Sequence, residues 1–98
     1  MIQRGTISNR SAGASTNATA LAANSDRRGF SIQNQGTAPL FVKFGAGCTT
    51  SDYDIVLAGG GSAANGTGAA IIEMGETVYM GIITVAASGT PSYSAYDL

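Results

Sequence analysis

The chain has 98 residues, of which 44% are hydrophobic, and this length predicts a single domain with a modest core. Residues 1–43 carry five cations and one acid, a net charge of +4, whereas residues 44–98 carry five acids and no cation, a net charge of −5. The chain has no His and a single Cys, which excludes the usual zinc sites and an internal disulfide.

Residues 1–25 are rich in Gly, Ala, Ser, Thr and Asn. Their large apolar side chains are Ile2, Ile7 and Leu21. Burial of three apolar side chains cannot offset the entropy lost by ordering 25 residues. The segment is therefore predicted to be an extended N-terminal arm. Residues 19–23 fit either a short strand or a helical turn. The turn signal at residues 24–26 then separates the arm, residues 1–25, from a body formed by residues 26–98.

Residues 27–47 read RRGFSIQNQGTAPLFVKFGAG, in which two apolar runs flank a polar connection at residues 35–39. This pattern is typical of a β-hairpin closed by a short loop. Alternation with a period of two places Leu40, Val42 and Phe44 on one face of the second strand. Phe30 and Ile32 form the matching face of the first strand.

Further short apolar runs follow: YDIVL, AAIIEM, VYMGIITVAA and SYSAYDL. Because Gly, Ser, Asn and Pro separate the runs, the chain is predicted to be all-β. The expected architecture is a small antiparallel β-sandwich or jelly-roll-like barrel of about six to seven strands, the seventh coming from the arm. Gly81 interrupts the longest run, which indicates either a bulge or the close approach of a ring such as Tyr79 or Tyr96.

The segment at residues 54–64 imitates a dinucleotide-binding motif, because an apolar strand runs into Gly59-x-Gly61-x-x-Ala64. The helix that the motif requires is excluded by the sequence Asn-Gly-Thr-Gly that follows it. The distance to the next strand is also too short for a crossover. A flexible Gly-rich loop between antiparallel strands is the better interpretation.

No catalytic, cofactor or metal site is predicted. Asp52 and Asp54 would share one face of a strand, where they form either a weak calcium site or, as favoured here, a solvated edge. Glu73 and Glu76 have no identifiable acid–base partner, and no imidazole is present to activate a Ser, so the chain is not expected to be an enzyme. The pair Arg27 and Arg28 is too small a basic patch to predict nucleic-acid binding.

A longer constellation carries a resemblance to a known family. It consists of Asn24-x-x-Arg27-Arg28-Gly29-Phe30-x-Ile32-Gln33-Asn34, Gly36-Thr37, Leu40-x-Val42-x-Phe44-Gly45, a Gly-rich loop, a Gly75-Glu76 turn and a Val/Ile-rich strand. In this order of features the chain resembles small virion proteins of tailed bacteriophages, most closely the capsid decoration or cement proteins. The resemblance implies a β-sandwich or jelly-roll body that assembles as a homotrimer on the outside of a shell.

The expected function is therefore that of a capsid cement protein made in the host cytoplasm, without a signal peptide or membrane span, which binds the major capsid protein on the capsid exterior. The alternative is a head-fibre or tail-associated module that binds an adaptor or a host surface. A third hypothesis, a sugar site, uses Tyr53, Tyr79, Tyr93 and Tyr96. The candidate interface residues are Ile2, Arg4, Ile7, Arg10, Arg27 and Arg28.

The charge asymmetry leaves two explanations open. In the first, the basic front (residues 1–43) folds against the acidic body (residues 44–98) of its own chain. In the second, the basic front complements a neighbouring copy or a larger partner.

Overall fold

Short β-strands make up the regular structure in the computed structural model, which describes residues 17–61, 67–75, 77–89 and 91–98. Seven strands lie in these ranges: β1 Asn17–Leu21, β2 Gly29–Asn34, β3 Leu40–Lys43, β4 Ile55–Leu57, β5 Ala70–Met74, β6 Ile83–Ala86 and β7 Tyr93–Asp97. The predicted all-β class is confirmed. In the described ranges no helix is long and apolar enough to cross a bilayer.

The strands form two antiparallel sheets. One has four strands in the order β1-β6-β3-β4, and the other has three in the order β5-β2-β7. The central strand β2 therefore pairs on one side with β5 and on the other with β7. Every pairing between named strands is antiparallel.

The core lies between the inner faces of the two sheets. In β2 and β3 alternate residues point inward because side chains in a strand have a period of two. The fully buried large side chains include Leu21, Phe30, Ile32, Leu40, Val42, Ile83, Val85 and Tyr93. This confirms the inward faces predicted for Phe30 and Ile32 of β2 and for Leu40 and Val42 of β3. Each large aliphatic side chain contributes about 1.5–3 kcal/mol by leaving water.

The predicted hairpin between β2 and β3 is wrong. The two strands lie in different sheets, and residues 35–39 carry the chain from one sheet to the other. Strand β3 pairs instead with β6 and β4. The alternation of buried side chains determines which face of a strand points inward, but it does not determine which strand lies beside it, and a short loop can bridge two packed sheets as well as two paired strands.

Strand β1 is the seventh strand, which the sequence predicted to come from the arm. It pairs with β6, and its residues Ala20 and Leu21 are buried in the core. Of the two alternatives for residues 19–23, the strand is therefore confirmed for residues 19–21. The backbone N–H of Asn24, within the predicted arm, also donates to the carbonyl of Met80 at 2.8 Å.

The longest apolar run forms a strand only at Ile83–Ala86, and the residues before it form a loop. In that loop the ring of Tyr79 occupies the position where a Cβ on Gly81 would project. Of the two predicted reasons for this glycine, the close approach of a ring is confirmed. The bulge is wrong, since Gly81 precedes the strand and has no place in its ladder.

Candidate functional site

Arg27, one of the six candidate interface residues, lies in a buried polar cluster at one end of the two sheets. Its Nε donates to Asp97 Oδ1 at 2.6 Å, and only 2% of the residue is exposed. The same guanidinium donates to the carbonyl oxygens of Tyr79, Gly81 and Ala22 at 2.8, 3.0 and 2.7 Å. Arg27 thus ties the end of β1, the loop before β6 and the end of β7 to the start of β2.

Asn24 completes this cluster. Its Nδ2 donates to Asp97 Oδ2 at 3.1 Å, so each oxygen of that carboxylate accepts a hydrogen bond. Its Oδ1 accepts from the backbone of Asp26 at 3.0 Å, an Asx-type turn that sets the direction of the chain into β2. The cluster of Asn24, Arg27 and Asp97 is a structural junction, and its guanidinium is not presented to a partner.

The other candidate interface residues have different positions. Arg28 is exposed, and its side chain is in no ion pair with the residues that the structure describes. Ile2, Arg4, Ile7 and Arg10 lie outside the described residues.

Among the described residues, two ion pairs join the basic front of the chain (residues 1–43) to its acidic body (residues 44–98). Arg27 pairs with Asp97, and Lys43 Nζ lies 2.6 Å from Asp52 Oδ2. The hydrogen bond to Asp52 raises the pKa of Lys43. For these two cations the front folds against its own chain, which is one of the two explanations for the charge asymmetry.

Asn34 forms a second buried junction at the opposite end of β2. Its Nδ2 donates to the carbonyls of Ala38 and Leu57 at 2.8 and 2.9 Å. Its Oδ1 accepts from the backbone of Gly36 at 2.8 Å. The side chain therefore fixes the crossing between the sheets to the end of β4. Asn34 belongs to the motif that carries the resemblance, but nothing in its sequence context predicted this role.

The Gly-rich segment packs against this second junction. A Cβ on Gly59 would overlap the backbone of Thr37, and a Cβ on Gly68 would overlap the carbonyl of Asn34. These glycines are therefore required for close backbone packing. The segment joins β4 to β5, which lie in different sheets and do not pair with each other.

The two carboxylates considered for calcium are both exposed and each is bonded within the chain. Asp52 pairs with Lys43, and Asp54 accepts from the backbone of Phe44 at 2.8 Å. In the described part of the chain no group of three His, Cys, Asp or Glu residues could hold a metal ion.

Cys48 lies in the loop between β3 and β4, where it is buried against Thr84 of β6. Its backbone donates to Thr84 Oγ1 at 3.1 Å, and that hydroxyl donates to the carbonyl of Gly45 at 2.7 Å. Its thiol donates to the carbonyl of Phe41 at 3.4 Å. Burial raises the pKa of Cys48 to about 11, which makes it a poor nucleophile at neutral pH.

This pKa predicts how stability changes in alkali. An unfolded thiol ionises near pH 8.5, whereas the thiol of Cys48 ionises at about 11 in the folded protein. Between these values the unfolded state binds fewer protons, so the free energy of unfolding falls as pH rises. We expect the difference in this energy between the wild type and Cys48→Ala to shrink across that range in urea titrations. A pH-independent difference would contradict the assignment.

The described tyrosines do not form a common sugar-binding surface. Tyr93 is fully buried in the core, and its hydroxyl donates to the carbonyl of Thr19 at 3.4 Å. Tyr53 packs against Phe41 in a tilted arrangement with ring centroids 4.8 Å apart, whereas Tyr79 packs against Phe44 in the same way at 5.5 Å. Tyr93 is therefore excluded from the site that the third hypothesis needs.

An exposed apolar surface lies on strand β5, and we call this strand with its outward side chains the β5 edge. Ile72 is 62% exposed and Met74 is 59% exposed, while Ile71 packs against the core. Strand β5 is the outer strand of its sheet and pairs only with β2 among the described strands. Unpaired backbone groups beside exposed apolar side chains make such an edge a place where another chain binds.

The β5 edge was not among the sites predicted from the sequence. The run AAIIEM has apolar residues on both faces, which suits a strand buried on both sides as well as one with an exposed face. The sheet order shows that β5 has an unpaired side among the described strands, and the exposure of Ile72 and Met74 shows which of its faces points outward.

No protein-family model, no curated protein and no solved structure matches the chain.

Proposed function

We propose that the chain is a structural virion protein, a cement protein that binds the major capsid protein on the outside of a tailed-bacteriophage head. The observation that carries the proposal is the β5 edge, an open strand with two largely exposed apolar side chains on a body braced at both ends by buried polar junctions. A binding protein of this kind gains by burying the edge against another chain.

The polar junctions supply the rigidity that such a protein requires. Backbone hydrogen bonds also hold the two ends of β5 to the two ends of β2. Gly75 N donates to Arg28 O at 3.2 Å, and Asn34 N donates to Ala69 O at 2.9 Å. A surface held in place in the free protein loses little entropy when it binds. This supports a protein whose task is to hold a fixed spacing between larger subunits.

In the proposed mode of action a homotrimer sits at a junction between capsomers and links several of them. Each copy contributes a small contact, and the contacts add through multivalency. The arm, with Ile2, Arg4, Ile7 and Arg10, extends from the body to the shell or to a neighbouring subunit. Arg28 is the exposed cation on the body that is available to an acidic surface.

The copy number per particle tests the proposal. Quantitative mass spectrometry of purified virions that contain the chain should give hundreds of copies for a cement protein. A handful of copies would instead support the alternative, a head-fibre or tail-associated module that binds an adaptor or a host surface.

Deleting residues 1–16 should reduce retention on capsids by about 100-fold or more, because one set of multivalent contacts is removed. The deletion has to stop there, since β1 begins at Asn17 and contributes Leu21 to the core. The measurement is occupancy after sedimentation of capsids with wild-type or truncated protein.

Thermal unfolding of the truncated chain serves as the control for folding. Occupancy equal to that of the wild type would rule out the proposed role of the arm.

A further inference from the structure

The β5 edge and the start of β1 lie on opposite sides of the body. Strand β1 is an outer strand of the four-stranded sheet, and its Thr19 carbonyl accepts from Tyr93 of β7 at 3.4 Å. Strand β7 is the outer strand of the second sheet on the side away from β5. Asn17, at the start of the described chain, therefore lies on the side of the body opposite the β5 edge.

The two features are complementary in chemistry. Residues 1–16 contain Ile2 and Ile7 with Arg4 and Arg10, and no acid. The described segment at residues 67–75 has exposed Ile72 and Met74 with the exposed acid Glu73, and no cation. An extended segment that is basic and partly apolar fits an edge strand that is acidic and apolar.

We infer that the β5 edge of one copy binds residues 1–16 of a second copy as an added strand. The inference rests on the proposed oligomer and names the contact that forms it. The contact joins two different surfaces and is therefore heterologous, and such contacts close into a ring when the rotation between copies permits. A ring of three copies is the arrangement that the proposed function requires.

The length of the segment is compatible with this contact. Sixteen extended residues span about 50 Å at roughly 3.3 Å per residue, and the longest dimension of the described body is 33 Å. A segment that turned back to its own β5 edge would spend about six residues on crossing even the shortest dimension of 20 Å. A head-to-tail neighbour brings the two features together without that crossing.

The first test is the oligomeric state of the full-length chain, measured by light scattering after gel filtration. We expect the wild type to be an oligomer and Met74→Lys to become a monomer at the same concentration. Val56→Lys is the matched control, because Val56 is 44% exposed on the outer strand β4 of the other sheet. A monomeric wild type, or equal effects of both substitutions, would overturn the inference.

The second test identifies the occupant by disulfide cross-linking in a Cys48→Ala background. Chains with Ile7→Cys are mixed with chains carrying Ile72→Cys and oxidised, and the expected product is a disulfide that joins the two different chains. The Ile7→Cys chain mixed with Val56→Cys serves as the reference. Cross-linking no greater than the reference contradicts the inference, as does an intramolecular disulfide in a chain that carries both Ile7→Cys and Ile72→Cys.

Neither test involves capsids. An inference that fails here is therefore distinguishable from a failure of the proposed function, which copy number on particles decides separately.

Discussion

Replacing Arg27 with Met should lower the free energy of unfolding by about 3–5 kcal/mol, because one partner of a buried ion pair is lost. The side chain of Arg27 is inaccessible, and that of Asp97 is 20% exposed, so the carboxylate would be left largely desolvated without its counterion. The carbonyls of Tyr79, Gly81 and Ala22 would lose their donors as well. Urea unfolding followed by circular dichroism measures the loss.

The neighbouring residue supplies the control. Arg28→Met removes the same charge from an exposed position, where substitutions usually change stability by about 0.5 kcal/mol or less. Arg27→Met combined with Asp97→Leu should recover part of the loss, since the uncompensated carboxylate is gone. Equal effects of the Arg27 and Arg28 substitutions would show that the buried junction does not stabilise the fold.

Replacing Asn34 with Ala should cost about 2–4 kcal/mol, because three backbone groups, buried or partly buried, lose the partner that this buried side chain supplies. These groups are the carbonyls of Ala38 and Leu57 and the N–H of Gly36. Asn34→Asp should cost at least as much, since a carboxylate keeps the acceptor for Gly36 but cannot donate to the two carbonyls. Chemical denaturation of the three proteins gives the comparison.

Gln35→Ala is the reference for this series. Gln35 is half-buried next to Asn34, and its side chain makes no hydrogen bond to the described residues. Its substitution should change stability by no more than about 0.5 kcal/mol. If Asn34→Ala were as mild as Gln35→Ala, the junction at the crossing would contribute nothing measurable.

The two junctions have a common consequence for the proposed binding surface. Arg27 precedes β2 and Asn34 ends it, so both ends of the central strand are fixed by buried side chains. Strand β5 pairs with β2 alone among the described strands, and its position follows from that of β2. Substitutions at either junction should therefore weaken association through the β5 edge even though both side chains are buried within their own chain.

Arg27 shows that the local sequence does not report whether a charged side chain is buried or exposed. An adjacent pair, Arg27 and Arg28, is indistinguishable in the sequence, and both were expected at an interface. The structure buries the first and exposes the second. Burial of Arg27 depends on four acceptors from three other segments, and no local pattern reports contacts at that separation along the chain.

The sequence by itself determined the all-β class, a count of about six to seven strands and the inward faces of Phe30, Ile32, Leu40 and Val42. These follow from local properties, because turn residues and the alternation of apolar side chains act over a few positions. Only the tertiary structure decided that β2 and β3 belong to different sheets, that β5 has an open side and that Asn34 joins the sheets. Strand pairing and the burial of polar side chains depend on contacts between residues far apart in the chain, where many partners satisfy the same local pattern.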